Sequence, residues 1–244
     1  MKVLVLISNV PDTTTKIRFT ADNKFDSSGV QWIINPWDEL ALTRAVELKE
    51  AGAISHISVA NVGSKITEAT LRKALAIGAD DATRVEAEPV DAFFVAKQLA
   101  QVAKDYDLIL AGIEAADYNG SAVGGMLAEL LDYNSVSAVS GLNVDGGKLV
   151  VNREIDGGSQ VLTVEGPVVL IVQKGIAKEP RIPAMRGIMM ARKKPLNVVP
   201  ATDAQNKTQF VSFELPPPKA TCKMIDEENA KDLIAMLHEE AKVL

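Results

Sequence analysis

The chain has 244 residues, of which 47% are hydrophobic and 24% charged, and its formal net charge is −6. This composition is typical of a globular protein with a real core, and the negative charge gives the molecule no electrostatic reason to bind nucleic acid. The single cysteine, Cys222, excludes an internal disulfide framework, and two histidines do not make a zinc site.

Neither membrane insertion nor secretion is expected. No apolar run reaches the roughly 18 residues that a membrane-spanning helix requires. The apolar start "MKVLVLISNV" lacks a small-residue cleavage site, so it predicts a buried first strand and not a signal peptide. We therefore expect a soluble, cytoplasmic protein.

Strand and helix signals alternate through about the first 130 residues. Strands are predicted at 2–8, 56–62, 82–88 and 107–112, and helices at 35–52, 65–79, 90–106 and 121–131. The first helix has the clearest start, because Asn35 is a good N-cap and Pro36 suits the first helical position. This alternation predicts an α/β fold with a doubly wound, mostly parallel sheet of the Rossmann-like, adenine-nucleotide-binding kind.

The pattern changes after residue 136. Three glycine-bearing turns between 136 and 173 predict antiparallel strands that are added to the sheet or form its edge. The chain is loop-like from residue 196 through 209 and extended over 210–220, where three prolines resist helix formation. The segment 226–244 predicts an amphipathic C-terminal helix, with Ala230, Leu233, Leu237, Ala241 and Leu244 on one side.

The loops after the predicted strands are candidates for ligand binding, because open parallel sheets bind ligands at the carboxyl ends of their strands. The loop 111–125 is glycine-rich, Ser121 is expected to cap the following helix, and Asp117 and Asn119 offer acceptors for a ribose or an adenine. An adenine nucleotide fits this pattern, and so does an ordinary strand-to-helix turn. The loop matches neither GxGxxG nor GxxxxGK[ST], so binding without phosphate chemistry is predicted.

Catalytic residues are not expected. His56 precedes a predicted strand and His238 lies on the terminal helix, which is typical of structural or solvated histidines. We therefore predict that the chain is not an enzyme by itself.

The stretch "IPAMRGIMMARKKP", residues 182–195, mixes three methionines with four cations. Three surfaces could take these side chains: the protein's own core, a membrane, or another protein. Another protein is favoured, because methionine repacks readily against variable apolar pockets and nearby cations steer acidic partners. The core accounts for Ile188 and Met189 at least as well, so only Met185 is predicted as the anchor.

Several blocks together resemble the β subunit of electron transfer flavoprotein. They are "VNREIDGGSQVL" with "PVVLIVQKGIAKEPRIPAMRGIMMARKKP", preceded in order by "NVPDTTTKIR", "INPWDELALTRAVELK", "LRKALAIGADDATRV" and "DLILAGIEAADYNGSAVGGMLAELL". The resemblance covers about residues 1–196. It implies a heterodimer in which the α subunit holds most of an FAD while this subunit completes the site and buries an AMP. It also implies an electron carrier of fatty acid β-oxidation, working from acyl-CoA dehydrogenases and other flavin dehydrogenases to a membrane quinone oxidoreductase.

The resemblance assigns roles to individual residues. Thr13 matches a site near the flavin where some relatives have tyrosine, and Glu154 matches a residue that pairs with a cation on the α subunit. Met185 matches an apolar anchor in a recognition loop (182–195), with Ile182, Arg186 and Ile188 beside it. The AMP-binding positions are Leu6, Ser8, Asn35, Gly63, Asp117, Asn119, Ser121, Ala122, Val123 and Gly124.

One departure from the family's sequence pattern leaves the identity of the second nucleotide open. Many AMP-binding relatives have Asn-Gln-Thr-Gly where this chain has residues 121–124, Ser-Ala-Val-Gly. Bifurcating relatives, which hold a second FAD there, also end this loop in Val-Gly. AMP is favoured because "REIDGG" is similar to the non-bifurcating type.

The predicted organisation is a nucleotide-binding domain over 1–195, which includes the recognition loop, and a C-terminal arm and helix over 196–244. The helix is expected to dock on the α subunit, with docking on the chain's own core as the alternative. A stand-alone adenine-nucleotide sensor or hydrolase and a ligand-free interaction protein stay open as other functions.

Overall fold

A computed structural model describes residues 1–219 and 221–244 of the protein. The elements follow the predicted alternation of strands and helices through α4. The strands are β1 Lys2–Leu6, β2 Asn9–Pro11, β3 Trp32–Ile34, β4 His56–Val62, β5 Asp81–Glu86, β6 Leu108–Gly112, β7 Asn134–Asp145, β8 Lys148–Ile155, β9 Gly158–Val164, β10 Val168–Val172 and β11 Leu196–Pro200. The helices are α1 Pro36–Glu50, α2 Glu68–Ile77, α3 Ala92–Ala103, α4 Val123–Leu131, α5 Met185–Ala191 and α6 Asp232–Glu239.

A nine-stranded sheet forms the centre of the molecule, in the order β11-β5-β4-β1-β6-β10-β7-β8-β9. Every neighbouring pair from β11 to β7 is parallel, whereas β7, β8 and β9 pair antiparallel. The helices α1 and α2 cover one face, with Leu42 and Leu71 fully buried, and α3 and α4 cover the other, with Leu99 and Leu127 buried. The predicted doubly wound α/β fold is confirmed.

Strand β10 departs from the prediction that the segment 136–173 would contribute antiparallel strands only. It lies inside the sheet, parallel to both β6 and β7, and all five of its residues are buried. Its sequence, "VVLIV", is a continuous apolar run, and such a strand is stable only with both faces covered. In the sheet β10 therefore lies between β6 and β7, although both of these strands precede it in the chain.

Strand β11 was not predicted, because the chain after residue 195 looked like a loop. It pairs in parallel with β5, from Leu196 opposite Ala82 to Pro200 opposite Glu86, and closes the edge of the sheet away from β9. A five-residue strand that ends in proline is hard to recognise locally, and proline is tolerated there because the strand is at an edge. The predicted arm thus begins with a strand of the main sheet, and the boundary at 195 stays a prediction.

The arm after β11 crosses the surface towards the loop between β6 and α4. The side-chain amide of Gln98 donates to the Thr202 carbonyl oxygen (2.8 Å), and the Thr202 N–H donates back to the amide oxygen of Gln98 (2.8 Å). Further along, the rings of Phe210 and Tyr118 stack with centroids 5.0 Å apart. The extended segment predicted over 210–220 lacks regular structure up to residue 219, and residue 220 lies outside the described residues.

The C-terminal helix is shorter than predicted. Helix α6 spans Asp232–Glu239, so Ala230, Ala241 and Leu244 lie outside it. Its apolar side chains are largely uncovered, since Leu233 is 44% and Ile234 66% exposed. Over the described ranges 1–219 and 221–244, no helix has the length and apolar character needed to cross a bilayer.

Candidate functional site

The carboxyl ends of β1, β4, β6 and β10 lie side by side in the sheet, and β1 is the point where the strand order reverses. After β1 the chain goes to β4 on one side, and it later returns to β6 on the other side. Adjacent loops leave such a point in opposite directions and open a crevice between them. The structure therefore brings together the loops that carry Ser8, Gly63 and residues 113–124.

Asn35 supports the longest of these loops. Its side chain is fully buried; the amide nitrogen donates to the Glu114 carbonyl oxygen (2.8 Å), and the Ala116 N–H donates to the amide oxygen (3.1 Å). The helix begins at Pro36 as predicted, but the expected capping role of the Asn35 side chain is wrong. Its amide pairs with both backbone groups of a distant loop, which would otherwise be unsatisfied in the interior.

Asp38 joins the loops that follow β1 and β6. One carboxylate oxygen accepts from the Ser8 N–H (2.7 Å) and the other accepts from the Gly112 N–H (3.0 Å). The side chain is 2% exposed, and burial raises the pKa of this carboxyl from 3.8 to about 6, although both N–H donors act in the opposite direction. Sequence reasoning missed this role, because an acidic residue in the first turn of a helix is already explained by the helix dipole.

The loop between β6 and α4 contains two residues with left-handed backbone, Asn119 (φ 50°) and Ser121 (φ 48°). The Ser121 hydroxyl donates to the Ile113 carbonyl oxygen (2.6 Å), and α4 begins at Val123. Ser121 therefore closes the loop, and its expected role as helix cap is wrong. Non-glycine residues in this conformation are concentrated at functional sites, and turns of this kind direct backbone N–H groups towards anions.

The glycines of this loop serve two purposes. A Cβ added at Gly124 would lie 2.8 Å from the Ile171 side chain, and one at Gly112 would collide with the Asp38 carboxylate, so both allow close packing. Gly120 and Gly125 have no heavy atom within 4 Å of an added Cβ, apart from their own neighbours, and thus leave the backbone open to a ligand. The loop is therefore tightly packed at Gly112 and Gly124 and accessible at Gly120 and Gly125.

A second group of buried polar residues, which sequence reasoning missed, lies at the end of β4 and β5. The Asn61 side-chain nitrogen donates to the Ile7 carbonyl oxygen (2.8 Å), while its side-chain oxygen has no hydrogen-bond partner among the described residues. The guanidinium of Arg84, 3% exposed, donates to the Gly63 carbonyl oxygen (2.8 Å) and thereby fixes the loop after β4. A buried acceptor beside the crevice is unusual in a folded protein and is suited to a ligand donor.

A cavity of about 570 Å³ opens beside the long loop. Its lining includes Trp37, Ser121, Glu154 and Lys174, so residues predicted for nucleotide binding and for subunit contact face the same space. Sequence reasoning missed Lys174, which follows the buried strand β10. On the loop itself, Asp117 is exposed, yet local desolvation raises the pKa of its carboxyl above the ordinary value.

The other predicted positions are placed as follows. The side chain of Leu6 is buried in the core at the end of β1. Ala122 and Val123 are partly buried where α4 begins, and Thr13 is exposed in the turn after β2. The His56 ring contacts the Asp81 carboxylate, and His238 is exposed on α6.

The recognition loop (182–195) exposes five large apolar side chains. The exposed fractions are 88% for Ile182, 74% for Met185, 67% for Met189, 50% for Met190 and 43% for Ile188. The chain's own core therefore does not take these side chains, which removes the core alternative for Ile188 and Met189. Exposed apolar clusters of this kind typically mark interaction sites.

Polar contacts fix the backbone at both ends of this loop. Before it, the Arg181 guanidinium forms an ion pair with Glu50 (2.6 Å). After it, Arg72 donates to the carbonyl oxygens of Ala191 (2.8 Å) and Lys194 (2.7 Å). Between these ends the short helix α5 packs on α2, and the apolar side chains project outward from a fixed backbone.

Comparison with known proteins gives a consistent result. Residues 22–204 match the family model described as electron transfer flavoprotein domain. The electron transfer flavoprotein subunit beta of Syntrophomonas wolfei is 39% identical over 231 residues, covering 93% of this chain and 91% of the relative. The proteins of the same name from Bacillus subtilis and Homo sapiens are 34% and 33% identical, each over 100% of this chain and 99% or more of their own length.

Proposed function

The chain belongs to the electron transfer flavoprotein family, as a β subunit, and from this premise we propose that it works in the cytoplasm as half of a carrier heterodimer. In this proposal it binds AMP structurally, completes the FAD site of the α subunit, and docks on acyl-CoA and other flavin dehydrogenases. The electrons then pass to a quinone oxidoreductase. The flavin supplies the redox chemistry when bound, and this chain supplies surfaces and a nucleotide pocket.

The observation that carries the nucleotide proposal is the crevice at the ends of β1, β4 and β6. Asn35 and Asp38 fix the loops of the crevice by hydrogen bonds to their backbone. At Gly120 no heavy atom other than its chain neighbours lies within 4 Å of an added Cβ, so the backbone there is accessible to a ligand. The N–H groups at the start of α4 suit a phosphate.

The flavin proposal concerns the rim of the cavity beside the crevice. Glu154 lies exposed near the end of β8, opposite Ser159 of β9, and lines this cavity. An exposed carboxylate at the outer part of the sheet is available to pair with a cation on the α subunit. Thr13, on the exposed turn after β2, is the proposed flavin neighbour.

The docking proposal rests on the recognition loop. Met185 is its proposed anchor, because its thioether is 74% exposed at the start of α5 and can fit pockets of different shapes. Ile182 and Ile188 extend the apolar contact, and Arg186 contributes to electrostatic steering. Replacing Met185 by alanine should slow flavin reduction by the dehydrogenase while the flavin content stays constant.

The deciding experiment is co-expression with a candidate α subunit, followed by chromatography of the nucleotides released on denaturation. One FAD and one AMP per heterodimer are expected. A colourless isolated chain that turns over a nucleotide would support the sensor or hydrolase alternative and overturn the carrier proposal.

A second FAD in place of AMP, as in bifurcating relatives, is the alternative within the same family. The loop sequence at residues 121–124, Ser-Ala-Val-Gly, favours it, since bifurcating relatives also end this loop in Val-Gly. Two FAD molecules per heterodimer in the same chromatogram would establish this type.

The exposed apolar face of α6 is proposed to dock on the α subunit. Leu233 and Ile234 leave a face that this chain does not cover. Truncation before Asp226 should weaken the heterodimer, measured as a larger dissociation constant by sedimentation. Unchanged dissociation would assign the helix to the chain's own surface.

A further inference from the structure

Resting on the docking role proposed above, we propose that Met185, Met189 and Met190 form an oxidation site, at which conversion to methionine sulfoxide by a peroxide switches off docking. The three residues are called the methionine patch below. The inference adds a regulatory modification to the recognition loop, and it is carried by the exposure of these thioethers and by how α5 is held.

The methionine patch concentrates exposed sulfur on a single short helix. The chain has seven methionines, and three of them lie in one stretch of six residues within α5. Their side chains are 74%, 67% and 50% exposed, in the order Met185, Met189 and Met190. Because the rate at which a peroxide reaches a thioether increases with its exposure, the methionine patch is readily accessible to oxidation.

The reaction needs a peroxide and no other group. A lone pair of the thioether sulfur attacks one oxygen of hydrogen peroxide, the S–O bond forms, and the O–O bond breaks. The proton on the transferred oxygen passes to the departing hydroxide, which leaves as water. The sulfur is oxidised by two electrons, hydrogen peroxide is reduced to water, and the thioether becomes a sulfoxide. A thiol-dependent methionine sulfoxide reductase reverses the step, so the modification can serve as a switch.

Oxidation should change the surface and not the fold. The backbone around the patch is held by Arg72, which donates to the carbonyl oxygens of Ala191 and Lys194, and by Lys194, whose ammonium donates to the Leu75 carbonyl oxygen (2.9 Å). At Gly187 an added Cβ would lie 2.5 Å from the Ala76 carbonyl oxygen, which shows how closely α5 lies against α2. The thioethers take no part in these contacts.

The consequence for docking follows from the polarity of the sulfoxide. A thioether is desolvated at little cost when it enters an apolar pocket, whereas a sulfoxide oxygen must lose its hydrogen bonds to water. The charges of Arg186 and Lys193 are the same in both oxidation states, so electrostatic steering persists. The short-range apolar contact is therefore the step that fails.

The test uses the assembled heterodimer. It is treated with increasing hydrogen peroxide, the peroxide is removed with catalase, and a partner dehydrogenase is then added to measure the rate of flavin reduction. Peptide mass spectrometry locates each added oxygen, and the flavin absorbance checks the cofactor. We expect sulfoxides on the methionine patch and a decrease in rate of roughly tenfold, the factor for losing one apolar anchor. Treatment with methionine sulfoxide reductase should restore the rate.

Two variants provide controls. In the variant with M185L, M189L and M190L the three sulfurs are absent, so its rate after peroxide should equal its own rate before peroxide. The variant M224L removes another exposed sulfur, 88% exposed on the arm, and should remain as sensitive as the wild type. Each variant is compared with its own untreated sample, so differences in basal rate do not enter.

Three results would overturn the inference: full oxidation of the patch with an unchanged rate, loss of rate in the triple leucine variant, or oxidation of Met224 without oxidation of the patch. Failure of the docking role is distinguishable, because it is measured without oxidant. If Met185→Ala leaves the reduction rate unchanged, the docking proposal fails, whatever peroxide does.

Discussion

Replacing Asp38 by asparagine should change how the stability of the protein depends on pH. The wild-type carboxyl is 2% exposed and accepts from the N–H groups of Ser8 and Gly112. Its pKa rises from 3.8 to about 6 because of burial. An asparagine of the same shape cannot titrate.

The sign and size of the pH effect on stability follow from these pKa values. The native carboxyl binds its proton more tightly than the unfolded one, so the free energy of unfolding falls as the pH rises from about 4 to about 6. A shift of about two units at about 1.4 kcal/mol each amounts to about 3 kcal/mol by pH 7. Asparagine loses one acceptor, which costs about 1–3 kcal/mol at every pH because one of the two N–H groups is left unpaired.

The measured quantity is the difference in unfolding free energy between the wild type and Asp38→Asn. Near pH 4 the variant should be the less stable by about 1–3 kcal/mol, and by pH 7 the wild type should have lost about 3 kcal/mol relative to it. Urea titrations at fixed ionic strength, followed by tryptophan fluorescence, give both curves. Taking the difference removes the contribution of carboxyls with a lowered pKa, such as Asp80 and Asp91.

Glu39→Gln removes a carboxylate from the same helical turn and is the matched control for net charge. The Glu39 side chain pairs with Lys73 (2.8 Å). If the wild-type and Asp38→Asn curves stay parallel between pH 4 and pH 7, burial does not raise the pKa of Asp38, and the argument fails.

Three further substitutions test packing around the site. Gly187→Ala places a Cβ about 2.5 Å from the Ala76 carbonyl oxygen, so α5 must move away from α2, at a cost of about 1–3 kcal/mol in thermal or urea unfolding. Gly124→Ala pushes the start of α4 away from β10, and the amount of nucleotide that co-purifies should decrease while circular dichroism stays unchanged. Phe210→Ala removes the ring that stacks on Tyr118, worth about 0.5–1.5 kcal/mol, and limited proteolysis should then cut the arm faster; an unchanged cleavage rate would contradict this contact.

The sequence by itself determined the architecture of the first 130 residues. Strands and helices there are long enough for their periodicity to be recognised, and the residues that begin and end a helix, such as Pro36 and Gly52, act locally. The choice of loops for the candidate site followed directly, because parallel strands place all their carboxyl ends at one edge. The composition of residues 182–195 favoured contact with another protein, and the 74% exposure of Met185 is consistent with this, while the recognition role itself stays a prediction.

The tertiary structure decided the features that depend on pairing across long distances along the chain. An apolar run such as β10 indicates that a strand is buried but not which neighbours bury it, and β11 is too short to indicate a strand at all. Asn35, Asp38 and Ser121 all looked like helix-cap or helix-dipole residues, because those roles require only local neighbours. Their actual partners, some of them about 80 residues away, exist only once the strands are in place. Local propensity is set by a few adjacent residues, whereas a buried polar group must find its partner wherever the fold provides one.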